Sequence, residues 1–148
     1  HLAEYETAVS NLYEAYGEAF SGMADFWRGL ALAERAHAAM LSALRESLEK
    51  GHYYYGLDGF DQRALTVGRS LVECARSALQ EGRVTVQMAF EAALEIEAYV
   101  LDGGFFTDAK SDYPAFAIIA EQIMKEDERH VAQIRQRYVE LRARSFAE

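Results

Sequence analysis

An all-α fold, a bundle of four long helices with one long crossover, follows from three observations on the sequence. Ala, Leu, Glu and Arg are abundant and Pro114 is the single proline, a composition that favours helix nearly throughout. Apolar residues recur in steps of three and four, as on one face of a helix. One such stripe is Trp27, Leu30, Leu41, Leu44 and Leu48, and another is Phe116, Ile119, Ile123 and Ile134. Glycine, proline and capping residues fall between the stripes, where helices must stop and start. Hydrophobic residues make up 51% of the 148, too many for disorder and enough to give residues 1–148 a single domain with a sizeable core.

The first helix is expected from about Leu2 to Tyr16, with Leu2, Val9, Leu12, Tyr13 and Tyr16 on its apolar stripe and Glu6 among them. Gly17 can end it and Ser21 can cap the second helix, which runs to about Lys50 with Gly51 as its stop. Residues 52–60, with Tyr53, Tyr54 and Tyr55, break the periodicity and read as an aromatic loop. A shorter helix from about Gln62 to Leu79, ending near Gly82, belongs to the crossover that lets the second and third long helices run parallel. Thr85 can cap the third long helix, whose stripe is Phe90, Ala93 or Leu94, Glu97, and Val100 or Leu101. Asp112-Tyr113-Pro114 opens the last helix, which continues to about Arg144. Gly103-Gly104 either ends the third helix or kinks it. Glu6 and Glu34 are equally far from Phe20, and Glu97 and Asp127 equally far from Asp112. That symmetry favours a turn near Asp112 and a helix that runs past the glycines, at a cost of roughly 2 kcal/mol.

Net charge is −9, which argues against nucleic acid and anionic membranes as partners. No apolar run approaches the roughly 18–20 residues that cross a bilayer, and nothing at the N-terminus resembles a secretion signal, so a cytoplasmic protein is expected. Cys74 is the only cysteine, which rules out an internal disulfide and a cysteine metal cage. It is read as a small core residue. His1 receives no role.

The chemistry lies on the apolar stripes themselves. Glu34-Arg35-Ala36-His37 and Asp127-Glu128-Arg129-His130 each place a carboxylate and an imidazole three residues apart, on one helix face and about one turn from each other. Glu34 and His37 interrupt the first stripe and Asp127 and His130 the second, where burying charge is expensive unless something neutralises it. Glu6 and Glu97 sit alone on the other two stripes, so the pattern is carboxylate, then carboxylate-x-x-His, written twice. Glu14 and Glu18 lie too near the first turn to face Glu34, and Glu91 and Glu95 point away from their stripe. Glu126 could substitute for Asp127 but breaks the three-residue spacing to His130. A buried salt-bridge network lacks cations, because Arg28, Arg35 and Arg129 fall off the stripes. Haem held by His37 and His130 leaves four acids unexplained. A pair of divalent cations fits: carboxylates supply hard, bridging oxygens, imidazole adds nitrogen suited to iron, manganese or zinc, and four acids balance two dications.

These motifs resemble the ferritin-like di-iron carboxylate superfamily, above all the helical domain of rubrerythrins and their relatives without a rubredoxin domain. The resemblance runs through Glu6–Tyr13, Leu30–His37, Ala92–Glu97 and Ile119–His130. It implies a ferritin-like four-helix bundle with the additional short helix on the crossover between helices 2 and 3, holding two iron ions, with manganese or zinc as substitutes. By the same resemblance Glu34 and Asp127 bridge the metals, Glu6 and Glu97 are terminal carboxylates, and His37 and His130 are terminal nitrogen ligands. Tyr13 matches a tyrosine that touches the ligands from outside, and no catalytic residue is expected beyond the ligands. Three departures weigh against peroxidase activity more than against metal binding: Asp127 is one methylene shorter than the usual glutamate, Val100 stands where a further acid is expected, and no Cys-x-x-Cys pair exists.

The implied function is a di-iron oxidoreductase, ferroxidase-like, reacting Fe(II) with O2 or H2O2 and relying on a separate electron donor. The alternatives are a non-catalytic metal-binding or partner-binding helical module, and manganese-dependent peroxide dismutation. Tyr13, Tyr16 and Tyr53–Tyr55 are read as aromatic packing at a homodimer interface in preference to an electron relay.

Overall fold

The computed structural model describes residues 1–56, 62–102 and 110–145. The fold is all-α: α1 (Leu2–Ala19), α2 (Ala24–Gly51), α3 (Gln62–Gln80), α4 (Val86–Asp102) and α5 (Phe116–Ser145), with a one-turn 3-10 helix at Ser21–Met23. α1 and α2 form an antiparallel hairpin, α4 and α5 pack as a second pair, and α3 lies against α1 and α4. α2 also meets α5, which closes the interior from the other side. Among the described residues no helix is long and apolar enough to cross a membrane.

Helices α1, α2, α4 and α5 bury most of the stripes that their spacing predicts, with Leu2, Leu41 and Ile119 only partly covered. Trp27, Leu30, Glu34, His37, Leu44 and Leu48 face inward from α2, and Phe116, Ile123, Asp127, His130 and Ile134 from α5. Along the interior the side chains sort into three zones. Tyr13, Tyr16, Trp27 and Phe90 pack together towards the α1–α2 turn, the polar residues occupy the middle, and Leu44, Leu48, Leu65 and Phe116 fill the far end. Thr85 caps α4 as expected, its hydroxyl accepting from the Met88 amide at 3.3 Å. Gly82, at φ +68°, ends α3 in a left-handed turn closed by the Arg83 amide on the Ala78 carbonyl.

Several expectations are corrected. Gly17 does not end α1, which continues to Ala19. Gly17 is buried against α2, where a Cβ would lie 3.3 Å from Arg28 Cγ and 3.4 Å from the Ala24 carbonyl, so its small size lets the two helices approach. Ser21 does not cap α2; it begins the 3-10 turn, and the cap position falls to Met23 without a side-chain hydrogen bond. Gly51 is still helical, and the Tyr53 ring folds back over it where a Cβ would lie. The left-handed residue is His52, at φ 52°. Cys74 is exposed, since α3 turns Val72, Ala75 and Leu79 inward and position 74 falls on the opposite face. Tyr13 and Tyr16 are wholly buried within the chain and so belong to no dimer interface.

Within the described residues, the start of the aromatic loop pairs with the segment that precedes α5. Tyr55 and Gly56 form a two-residue antiparallel ladder with Ser111 and Lys110, and Ser111 Oγ donates to the Tyr54 carbonyl at 2.7 Å. α5 starts at Phe116, two residues beyond Pro114, with the Phe116 amide bonded to the Tyr113 carbonyl. The path at Gly103-Gly104 lies outside the described residues.

Candidate metal centre

Four helices deliver six polar side chains to the middle of the interior, each no more than 6% exposed: Glu6, Glu34, His37, Glu97, Asp127 and His130. α1 gives Glu6, α2 gives Glu34 and His37, α4 gives Glu97, and α5 gives Asp127 and His130. Glu34 stands at the centre. Its Oε1 is 2.7 Å from His130 Nδ1 and its Oε2 is 3.2 Å from His37 Nδ1. The two imidazole rings stack across it with centroids 5.5 Å apart.

Two sets of donor atoms meet the spacing a bound ion needs. Glu34, Glu97, Asp127 and His130 make one set, and Glu6, Glu34 and His37 make the other, with all donor atoms of a set within 4.8 Å of one another. Glu34 is common to both, the position of a bridge. Asp127 belongs to the first set, and its Oδ1 is also 3.4 Å from His37 Nδ1.

The cluster is poorly satisfied by protein partners. Glu6 Oε1, Glu34 Oε1, Asp127 Oδ2 and His130 Nδ1 are buried without a hydrogen bond; the short Glu34–His130 approach is too badly aligned to make one. An unsatisfied buried polar atom costs about 1–3 kcal/mol, more when charged. Four such atoms in one buried group of oxygen and imidazole donors could hold divalent cations.

Electrostatics show the same strain. Burial, and then the charge on Glu34, push the carboxyls of Glu6 and Glu97 well above the usual range. The same causes raise Asp127 to about 7. Burial also works against ionised Glu34, but the close imidazoles of His130 and His37 prevail and hold it at about 2. For His37, burial disfavours the cation, yet Glu34 and Glu126 together raise it to about 9. Protons that these carboxyls and His37 hold more tightly than usual therefore offset charge that two dications would balance outright.

The surrounding side chains fix these groups. The Tyr13 hydroxyl donates to Glu97 Oε1 at 2.6 Å, so this residue touches the cluster from outside. Ser10 Oγ donates to the Ala31 carbonyl at 2.7 Å and ties α1 to α2 between the level of Glu6 and that of Tyr13. Glu126 was passed over in the sequence and proves important. Its Oε2 is 2.7 Å from His37 Nε2, which leaves Nδ1 facing Glu34 and Asp127. The available signal was its place beside Asp127, one helix step round, at the edge of the buried stripe. Val100 is buried at the position where a further acid was expected. At the far end of the interior, a cavity of about 550 Å³ is lined by Leu2, Leu41, Leu44, Leu65 and Phe116. Leu2 lies one turn from Glu6, and Leu41 one turn from His37.

No family profile, curated protein or solved structure matches the chain.

Proposed function

We propose that this chain is a dinuclear metal protein of the ferritin-like kind, a four-helix bundle of α1, α2, α4 and α5 with α3 on the crossover, and that it reacts iron(II) with O2 or H2O2. The observation that carries the reading is a buried group in which Glu34 and three neighbours, Glu6, Asp127 and His130 from α1 and α5, each keep an unsatisfied donor atom. Glu34, common to both donor sets, would hold two iron ions together with Glu6 and His37 on one side and Glu97, Asp127 and His130 on the other. When bound, the metals supply the redox chemistry.

The side chains supply position and charge. Tyr13 holds Glu97 Oε1 by a hydrogen bond and leaves Oε2 toward His130. Glu126 accepts from His37 Nε2 and selects the tautomer whose Nδ1 lone pair faces inward. The apolar packing above and below keeps bulk water from the carboxylates, which strengthens their hold on cations.

The test is a titration of metal-free protein with iron(II) under argon, followed by air or peroxide. The reading predicts two iron ions per chain and a near-ultraviolet ferric absorption that develops on oxidation. Two bound ions without that absorption would leave a non-catalytic metal module. Peroxide consumed only by manganese-loaded protein would favour dismutation. No bound metal at all would overturn the proposal.

A further inference from the structure

We propose that Tyr13, Trp27 and Tyr138 form a relay that carries oxidising equivalents from the carboxylate–imidazole cluster to the protein surface. Its direction rests on the redox reading above, while its geometry stands by itself. The Tyr13 hydroxyl reaches the cluster through Glu97, and its ring centroid is 5.6 Å from that of Trp27. Trp27 is 4.8 Å from Phe90, which stacks on Tyr138 at 5.9 Å with 17° between the planes. Tyr138 is half-buried on α5, and its hydroxyl donates to Glu91 on the exposed face of α4.

Hydrogen bonding sorts these rings by what they can do. A phenol gives up an electron readily only when its proton has somewhere to go, and both Tyr13 and Tyr138 have a carboxylate in place. Trp27 is wholly buried and its Nε1 has no acceptor, so once oxidised it keeps its proton and passes the charge on instead of trapping it. Tyr16 lies 5.0 Å from Trp27, but its buried hydroxyl has no partner, which takes it off the route. Packing alone does not ask for an indole at position 27, because phenylalanine there avoids an orphaned N–H.

The steps balance. Tyr13 loses an electron to hydrogen peroxide being reduced at the cluster and its proton to Glu97. An electron from Trp27 and the returned proton restore the phenol. Tyr138 then reduces Trp27 and gives its own proton to Glu91, and a small one-electron donor of the ascorbate class, with a proton, restores Tyr138. Two passages supply the two electrons that, with two protons from solvent, turn one peroxide into two waters.

The experiment mixes iron(II)-loaded protein with excess peroxide, without reductant, and freezes it for electron paramagnetic resonance; the first equivalent takes its two electrons from the two iron(II) ions, and peroxide consumed beyond it draws on the protein. Iron content and peroxide consumption are measured on the same samples. The relay predicts a Tyr138 radical; in Tyr138→Phe that signal is lost and the oxidising equivalent stays on Trp27 or Tyr13. In Trp27→Phe, with iron content unchanged, the radical is confined to Tyr13 and is lost when Tyr13→Phe is added. A Tyr138 radical that persists in Trp27→Phe overturns the relay, as does the absence of any protein radical while iron is bound and peroxide consumed. If no iron is retained, the cluster reading falls and the relay with it.

Discussion

Without metal, the protein should lose stability as pH rises from about 4 to 9, the reverse of the usual acid sensitivity of folded proteins. Asp127 holds its proton up to about 7, against an ordinary value of 3.8. Its contribution is fully present below 3.8 and is lost as pH rises through 7, because the unfolded chain ionises freely and the buried carboxyl does not. At about 1.36 kcal/mol per pH unit, that loss is on the order of 4 kcal/mol. His37 acts in the same direction: raised from 6.5 to about 9, it gives up its stabilisation as pH rises through 9. Glu34 has the opposite sign, since its lowered value favours the fold above 4.5 and its contribution fades as pH falls through 2. The maximum for metal-free protein therefore falls near pH 4 to 5. The Asp127 and His37 contributions share Glu34 and do not simply add, so roughly 4 kcal/mol is the expected total, a large part of a typical 5–15 kcal/mol. With a urea dependence near 2 kcal/mol/M, and about two thirds of that loss falling between pH 5 and pH 8, the unfolding midpoint in chelator should drop by about 1 M over that interval. Asp127→Asn, neutral at every pH, should flatten the acid half of that slope. With excess zinc the slope should reverse, because cations then displace the protons. A midpoint in chelator that stays level or rises from pH 5 to 8 would refute the electrostatic account of the cluster.

Three further outcomes follow from single contacts. Glu126→Ala leaves His37 Nε2 without its acceptor and should weaken metal binding about 10- to 100-fold, read by competition with a chromophoric chelator. Gly68→Ala should destabilise by about 1–3 kcal/mol in urea titration, because the added Cβ lies 3.0 Å from Cε2 of Tyr5, a ring buried in the core. His52→Gly should stabilise by about 1 kcal/mol and raise Tm by a few degrees in a thermal scan, since His52 occupies the left-handed position that closes α2.

What the sequence disclosed and what it hid have physical causes. The stripes were legible because burial repeats with the helix period, and a carboxylate or imidazole on such a stripe is conspicuous. Hence Glu6, Glu34, His37, Glu97, Asp127 and His130 could be named together before any coordinates, and they do meet in one buried cluster. The helix ends were less legible. Gly17 and Gly51 resemble stops, but glycine also permits close approach, and only the neighbours Arg28 and Tyr53 reveal which role applies. Cys74 follows the general tendency of cysteine to be buried only if the helix turns it inward, and the phase of α3 does not. Glu126 was hidden because its partner, His37, lies on another helix 89 positions away, a relation that spacing along one helix cannot express.

The central claim, that six side chains from four helices meet in order to hold cations, is tested most directly by metal content. Protein equilibrated with iron(II) under argon, passed through a desalting column and analysed for metal should retain two ions per chain. Glu34→Ala, which removes the residue common to both donor sets, should retain almost none, and His130→Ala should retain about one, with both variants helical by circular dichroism. Wild-type metal content in both variants would contradict the account.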